Sequence, residues 1–264
     1  LLELIKKGNV VFIIEYPLMA KWICYQLENA IERRELSLNE LVKKKVYLEL
    51  SGEPITREDL DNLVKRMENL FQSDVECFTT YGSNEIGHIG TYIPSLHGSE
   101  IMYEVIPSVF VEEIDGELII TPFRTKGTIL FRYRIDDKGK LIFKNGKTFV
   151  KVFGRSPGKG IIYVAGAQVD IQELYNNLKD SVNLLSGLRI MKKEYHQKGI
   201  CELNIFIHTF QGLNKQLKER LSTLITQFII TSASLSIENY LGIFKIKIYY
   251  STKPLKKRWF IQTC

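Results

Sequence analysis

The stretch Thr80-Tyr81-Gly82-Ser83-Asn84-Glu85-Ile86-Gly87-His88-Ile89-Gly90 decides how the chain is interpreted. It follows an apolar run at 75–78 that predicts a buried strand. The residues directly after this strand include an aromatic ring, a glycine, small polar side chains and one carboxylate. Open α/β sheets bind ligands at this point, beyond the carboxyl end of a strand. A plain strand-to-loop turn fits the same residues. The rest of the sequence must therefore decide between a turn and a site.

Length and composition predict a globular protein with more than one core. The chain has 264 residues, whereas one domain typically contains roughly 100–200. Hydrophobic residues make up 45% and charged residues 25%, as in ordinary globular proteins. No apolar run approaches the ~18 residues that a membrane-spanning helix needs, and no signal-peptide pattern opens the chain. We therefore expect no membrane partner.

Charge and cysteine content narrow the class of partner. The net charge of +6 suits an anionic ligand such as a nucleotide or CoA. Lysine and arginine are scattered, apart from runs at 43–45 and 256–258, and no nucleic-acid motif accompanies them, so nucleic acid is not favoured. The four cysteines lie far apart without metal-ligand spacing. They predict reduced thiols in a protein with a cytoplasmic location, and no zinc site.

The order of the predicted elements indicates two domains. Strands at 10–14, 46–50 and 75–78 alternate with helices, two of which are expected to begin at Pro17 and after Thr56. This alternation is the pattern of a parallel α/β layer. From 98 to 152 the apolar period changes to two, and hairpin turns such as Asp115-Gly116 and Asn145-Gly146 are expected to separate the short strands of a β-rich region. A linker-like segment and a compact α+β domain follow. The expected division is a partial large domain at 1–154, a hinge at 155–160 and a small domain at 161–264.

Short motifs recur at the predicted turns and strand ends from residue 51 to residue 260. They are Ser51-Gly52-Glu53-Pro54, Tyr81-Gly82-Ser83-Asn84-Glu85, Gly116-Glu117-Leu118-Ile119-Ile120-Thr121-Pro122, Phe131-Arg132-Tyr133-Arg134-Ile135-Asp136-Asp137, Gly154-Arg155 and Lys256-Lys257-Arg258-Trp259-Phe260. In this order they resemble the core motifs of the AMP-forming adenylating enzymes, the acyl-CoA synthetase and ligase superfamily, and look closest to the phenylacetate-CoA ligase branch. The resemblance implies an α/β plus α+β fold, namely the distal part of the large nucleotide-binding domain followed by the small mobile domain.

The resemblance also implies a reaction. In this family ATP activates a small carboxylic acid as an acyl-adenylate, and the acyl group then passes to a thiol of CoA or of a carrier protein. The expected cofactors are ATP, Mg²⁺ and CoA as the thiol acceptor. The residues expected to bind the nucleotide are Gly52, Glu53, Pro54, Tyr81, Gly82, Ser83, Asn84, Asp137 and Arg155.

Several of these positions carry a distinct implied role. Tyr81 would stack on adenine, and Asn84 would contact the α-phosphate. Glu85 would hold Mg²⁺, a cation that prefers carboxylate and phosphate oxygens. Asp137 would accept both ribose hydroxyls, and Arg155 would add a ribose or phosphate contact. Lys256 would act as the catalytic lysine by neutralising charge at the reacting carboxylate and phosphate.

Ordinary structural interpretations remain open for the same side chains. Tyr81 fits a half-buried aromatic at a strand end, Glu85 fits a cap of a helical turn, and Asp137 fits a hairpin turn. Basic side chains at 253, 257 and 258 compete with Lys256 for its role. Under these interpretations the side chains would have structural roles only, and the chain would not catalyse a reaction.

Departures from the family pattern bear on activity. No Ser/Thr/Gly-rich phosphate loop precedes residue 51. The sequence, which begins with Leu1, therefore predicts either the carboxyl-terminal part of a longer enzyme or a non-catalytic nucleotide-binding or partner module that keeps the scaffold. Ile135 and Asp136 replace the family's Thr-Gly pair, and a second carboxylate beside Asp137 is expected to weaken binding of an anionic nucleotide.

Overall fold

The computed structural model describes residues 10–42, 44–123, 129–155, 161–164, 167–181, 185–231, 241–252 and 259–263. The chain divides into two compact units, Leu1–Ser156 and Pro157–Cys264. Both units combine β-sheets with helices. The mixed α/β fold class expected from the sequence is therefore confirmed.

Three parallel strands and two helices open the first unit. The strands are β1 (Val10–Glu15), β2 (Lys45–Leu50) and β3 (Val75–Ser83), and the helices are α1 (Pro17–Glu32) and α2 (Arg57–Phe71). Strands β1 and β2 pair in parallel, as do β2 and β3. Helix α1 begins with proline, whose missing N–H is not needed at that position. Helix α2 begins after Thr56, whose hydroxyl accepts a hydrogen bond from the backbone N–H of Asp59.

The two helices cover one face of these strands. Leu48 and Leu50 of β2 are buried there together with Leu27 of α1 and Met67 of α2. The opposite face is open, because Phe12 of β1 remains 68% exposed although its ring stacks on a neighbouring tyrosine. The hydrophobic core of this layer therefore lies between the strands and α1 and α2.

After β3 the chain turns back as a β-hairpin that the sequence did not predict. Strand β4 (Gly87–Tyr92) pairs antiparallel with β3. The chain continues with a one-turn helix α3 (Pro94–His97). Five strands follow it along the chain, namely β5 (Tyr103–Val105), β6 (Val109–Ile114), β7 (Glu117–Pro122), β8 (Tyr133–Lys144) and β9 (Lys147–Arg155). The described strands follow the order β1-β2-β3-β4-β5-β9-β8-β7-β6. One continuous sheet thus joins the α/β layer to the β-rich region.

Two of the predicted hairpin turns have the expected backbone. Asp115 and Gly116 both have positive φ, as do Asn145 and Gly146. Two consecutive residues with positive φ are typical of the tight turn that matches the twist of paired strands. These turns connect β6 to β7 and β8 to β9.

The second unit contains two smaller sheets. Its elements are β10 (Ile161–Val164), β11 (Ala167–Asp170), α4 (Ile171–Ser181), β12 (Leu185–Tyr195), β13 (Ile200–Thr209), α5 (Lys215–Ile230), β14 (Phe244–Ser251) and β15 (Trp259–Thr263). The larger sheet has the order β14-β13-β12-β15. Strand β15 was not predicted. Helix α4 begins at Ile171, directly after Val169 and Asp170 complete β11.

Alternation along β13 separates the core of the second unit from a polar face. Leu203, Ile205 and Ile207 are fully buried on one face. On the other face, Glu202 forms an ion pair with Lys247, whose Nζ lies 2.6 Å from Oε2 of the carboxylate.

Across the described ranges, no helix combines the length and the apolar character that crossing a membrane would require.

Candidate functional site

The carboxyl ends of the parallel strands bring two predicted motifs to one edge of the sheet. Strand β2 ends at Leu50 and leads into the loop 51–56, while β3 runs on through Tyr81. Because the two strands are parallel and paired, both motifs lie at the same edge. Gly52 has a φ of +77°, which favours glycine, and a Cβ there would lie 3.9 Å from the Cβ of Tyr16. The loop therefore passes beside the residue that precedes α1.

A buried hydrogen bond joins Tyr81 to Asp137. The Tyr81 hydroxyl donates to Oδ2 of Asp137 at 2.8 Å, although the two residues are 56 positions apart. Tyr81 is 8% exposed and Asp137 is 7% exposed. Burial of a carboxylate is unfavourable without hydrogen bonds, so the phenol stabilises this carboxylate at the edge of the sheet. The sequence had placed these residues in separate motifs.

The ring of Tyr81 packs inside the protein. Its centroid lies 5.4 Å from that of Tyr103 on β5, at a tilt of 37°. Burial raises the pKa of Tyr103, so this neighbouring phenol stays neutral. In this conformation the hydroxyl of Tyr81 is engaged with Asp137. The adenine-stacking role of Tyr81 stays a prediction.

Strand β9 brings the Gly-Arg motif next to the Asp137 motif. Asp137 on β8 lies opposite Arg155 on β9 in the register of the two strands. Gly154 has a φ of +96°, a backbone conformation that L-residues rarely adopt. The register shifts between Lys138 and Gly139, directly after Asp137. The two motifs are therefore neighbours through the backbone of one strand pair.

Asp136 occupies the position where the family pattern has glycine. Its φ is +61°, in the left-handed region, and its side chain is exposed. Aspartate is one of the few side chains that adopt this region. The backbone at this position thus has a conformation that suits glycine, although the residue is an aspartate with a negative charge.

The β3–β4 turn presents Asn84 and Glu85 to solvent. Both are exposed, whereas the Ser83 hydroxyl accepts a hydrogen bond from the backbone N–H of Ile86 at 3.2 Å. Ser83 is thus engaged in shaping the turn. Gly82 permits the hairpin, because a Cβ there would lie 2.3 Å from the carbonyl oxygen of Gly87.

Glu85 is the carboxylate that the sequence predicts as a magnesium ligand. Mg²⁺ is commonly held by one or two carboxylates, with substrate phosphate oxygens and water completing its shell. Glu85 is an exposed carboxylate at this edge of the sheet. Over the described part of the chain, no group of three or more His, Cys, Asp or Glu side chains forms a metal cage of protein ligands alone. The magnesium-binding role of Glu85 stays a prediction.

Some predicted residues lie outside the described part of the chain. These are Lys256, proposed as the catalytic lysine, and positions 156–160 of the expected hinge. In the loop 51–56, Glu53 is half-buried and Pro54 is exposed.

Two described cysteines of the first unit do not offer a nucleophile, because burial raises the pKa of Cys24 and of Cys77 to about 12.

Sequence reasoning missed residues that support the site. Arg57, the first residue of α2, donates to the Tyr92 hydroxyl and to the Gly98 carbonyl oxygen at 2.9 Å, and so joins α2 to the segment after β4. Lys21 of α1 lies 3.1 Å from Asp59 of α2. Lys21 lies among apolar residues on the buried side of α1, close to Ala20 and Ile23. A charged residue on the apolar side of a predicted helix indicates a buried ion pair, and this pattern could have revealed the contact from the sequence.

Comparison with known proteins gives a match only at the level of structure. No protein-family model and no curated protein sequence matches the chain. A 2-hydroxyisobutyryl-CoA ligase, in complex with 2-HIB-AMP and CoA in the thioesterification state, is 13% identical with a TM-score of 0.62, and the match covers 99% of this chain and 56% of that one.

Two further solved structures agree with this match. A double mutant of o-succinylbenzoate CoA synthetase from Bacillus subtilis, bound with its product analogue OSB-NCoA, is 14% identical with a TM-score of 0.57, over 97% of this chain and 50% of that one. The amide bond synthetase McbA from Marinactinospora thermotolerans is 16% identical with a TM-score of 0.54, over 94% and 49%.

This chain spans about half the length of the solved structures it matches. At these identities the likeness is one of fold. The chain has the mixed α/β fold of the AMP-forming acyl-CoA synthetases and related adenylating ligases, over the part of that fold that it covers.

Proposed function

We propose that this chain forms the adenine and ribose side of a site that activates a carboxylate by ATP-dependent, AMP-forming adenylation. The buried hydrogen bond between Tyr81 and Asp137 carries the proposal. It holds a carboxylate at the edge where the loop 51–56 and the β3–β4 turn also lie. A buried, hydrogen-bonded carboxylate suits the recognition of two neighbouring ribose hydroxyls, because its oxygens are acceptors only.

The proposed contacts follow from the placement of the side chains. Asp137 accepts the ribose hydroxyls and Tyr81 fixes the carboxylate. Arg155, on the strand next to Asp137, is expected to add a ribose or phosphate contact. Asn84, exposed in the turn, keeps the hydrogen-bonding capacity needed at the α-phosphate. The loop with Gly52, Glu53 and Pro54 forms the wall of the adenine pocket.

Adenylation joins a carboxylate oxygen to the α-phosphorus of ATP and releases pyrophosphate. Negative charge is carried by the oxygens around the α-phosphorus in the transition state, so the site needs positive groups around them. Mg²⁺ bound by Glu85 and the nucleotide would neutralise phosphate charge. Lys256 is the residue proposed to neutralise charge at the reacting carboxylate.

The finer parts of the proposal concern the acceptor and the branch. We propose CoA as the thiol acceptor, with a carrier-protein thiol as the alternative. Support comes from the 2-hydroxyisobutyryl-CoA ligase, whose structure contains an acyl-adenylate and CoA. Placement in the phenylacetate-CoA ligase branch rests on the sequence motifs, and the cytoplasmic location remains part of the same proposal.

Calorimetry with AMP and ATP on the 264-residue chain tests the nucleotide site. We expect micromolar binding of AMP that weakens at least about tenfold, or about 1.4 kcal/mol, in Asp137→Asn. Pyrophosphate exchange with a panel of carboxylates then tests the reaction. Binding without exchange would favour the non-catalytic nucleotide-binding module. A folded chain that binds neither nucleotide would overturn the proposal.

A further inference from the structure

A buried lysine links the two helices beside the proposed nucleotide site. Lys21 of α1 is 8% exposed, and its Nζ lies 3.1 Å from Oδ1 of Asp59 in the first turn of α2. A buried ammonium is unfavourable unless it is paired and hydrogen-bonded, so this contact ties Lys21 to the first turn of α2, although the side chain of Asp59 is 38% exposed. Nothing in the proposed chemistry uses Lys21 directly.

Asp59 passes this constraint to the end of the loop 51–56. Its Oδ2 accepts a hydrogen bond from the Thr56 hydroxyl at 3.2 Å, and its backbone N–H donates to the same hydroxyl at 3.1 Å. Thr56 is the last residue of the loop and the N-cap of α2. Lys21, Asp59 and Thr56 therefore form a continuous polar chain from α1 to the loop.

The other end of the loop is also adjacent to α1. Strands β1 and β2 end in register, with Glu15 opposite Leu50. The backbone of Gly52 then passes Tyr16, the residue that precedes α1. A change in the spacing between the starts of α1 and α2 would thus displace the loop from both sides.

A second ion pair joins the same helices further along. Arg66 of α2 donates from Nε to Glu28 of α1 at 2.6 Å, with a second contact between the same side chains. Hydrogen bonding to Glu28 raises the pKa of Arg66. These residues lie seven positions beyond Asp59 and Lys21, which is about two helical turns or roughly 10 Å. The second pair holds the helices together away from the loop.

We propose that Lys21 is a positioning residue for the loop that contains Gly52, Glu53 and Pro54. The proposal rests on the proposed function, because it assigns the loop to a nucleotide. Lys21 does not touch the nucleotide. It acts through Asp59 and Thr56 by fixing where α2 begins.

The test compares two variants that each remove the cation of one helix-joining pair. Lys21→Met and Arg66→Met both replace a charged side chain by an apolar one, and both are expected to lower the melting temperature. AMP affinity measured by calorimetry on the full chain separates them. We expect about tenfold weaker binding in Lys21→Met, less than about a twofold change in Arg66→Met, and recovery of most of the affinity in Lys21→Arg.

Hydrogen exchange supplies a readout that a purely structural role would not move. Lys21→Met should speed exchange of the amides in 51–56 selectively, relative to those of α2 near Arg66. If Lys21→Met does not fold, Asp59→Asn removes the charge while keeping a hydrogen-bond acceptor for Thr56, and the same loss of affinity is expected.

The outcomes separate this inference from the function on which it rests. Equal AMP affinity in wild type and Lys21→Met, or equal losses in Lys21→Met and Arg66→Met, would overturn the positioning role alone. Failure of the folded wild-type chain to bind AMP would overturn the proposed function and this inference together.

Discussion

The hydroxyl of Tyr81 is the smallest feature on which the proposed site depends. Tyr81→Phe keeps the ring in its contact with Tyr103 and removes the hydrogen bond to Asp137. Loss of a hydrogen bond to a buried charged group costs about 1.5–3 kcal/mol. We expect a loss of unfolding free energy of about this size in urea denaturation, together with weaker AMP binding.

A matched hydroxyl deletion controls this prediction. Tyr103→Phe removes the hydroxyl of the neighbouring buried tyrosine but leaves the Tyr81–Asp137 hydrogen bond in place. It should leave AMP affinity within about twofold of wild type. If both variants change AMP binding equally, the hydroxyl of Tyr81 has no special relation to Asp137.

Asp136 offers a substitution that should improve the protein. Its φ of +61° costs about 1 kcal/mol for a residue with a Cβ, and Asp136→Gly relieves that cost. The same change removes a negative charge beside Asp137, so AMP should bind more tightly. Thermal unfolding and calorimetry measure the two effects.

Asp115 provides the control, because it also has a positive φ of 53° but lies in the β6–β7 turn. Asp115→Gly should change backbone strain without changing AMP affinity. Tighter AMP binding in both variants would mean that stability, and not the charge next to Asp137, controls affinity.

At the scale of elements, the β3–β4 hairpin depends on close approach of two backbone segments. A Cβ at Gly82 would lie 2.3 Å from the Gly87 carbonyl oxygen, whereas nothing lies within 4 Å of a Cβ at Gly87. Gly82→Ala must therefore move the backbone, and we expect a loss of about 2–3 kcal/mol.

Gly87→Ala is the comparison within the same hairpin. Its φ of +81° imposes only the conformational cost of about 1 kcal/mol. Chemical denaturation of both variants checks the order. A larger loss for Gly87→Ala would show that the hairpin does not pack as described.

Local signals predicted many of these elements. Thr56 and Pro17 marked the starts of helices, and Asp115-Gly116 and Asn145-Gly146 marked hairpin turns, because capping and positive φ depend on neighbouring residues alone. The hairpin after Tyr81 escaped prediction. Its glycine-rich sequence fits a loop equally well, and only pairing with β4 and β5 distinguishes the two.

The contacts that build the candidate site could not be predicted from local sequence. Tyr81 and Asp137 were identified separately as motif residues, but their hydrogen bond depends on how β3 and β8 are placed in one sheet. The polar chain from Lys21 to Thr56 depends likewise on the packing of α1 against α2. Motifs thus identified candidate side chains, whereas tertiary packing determined which of them meet.

At the scale of the whole molecule, each unit has its own core and its own acid-sensitive carboxylate. Glu104 lies in the first unit, where a hydrogen bond from Lys147 and a weaker one from His97 lower its pKa. Glu202 lies in the second unit, where a hydrogen bond from Lys247 lowers its pKa. A lowered pKa in the folded state means that the folded state holds its proton less tightly than the unfolded chain.

The stabilisation from these carboxylates is therefore complete above their unfolded pKa of about 4.3 and is lost as the pH falls through the lower folded value. We expect calorimetry to show two thermal transitions, both of which move down on acidification in this range. Glu202→Gln should reduce the acid shift of the transition of Pro157–Cys264 only, and Glu104→Gln that of Leu1–Ser156 only. Each variant is the control for the other, and a single transition that both variants alter equally would contradict independent unfolding of the two units.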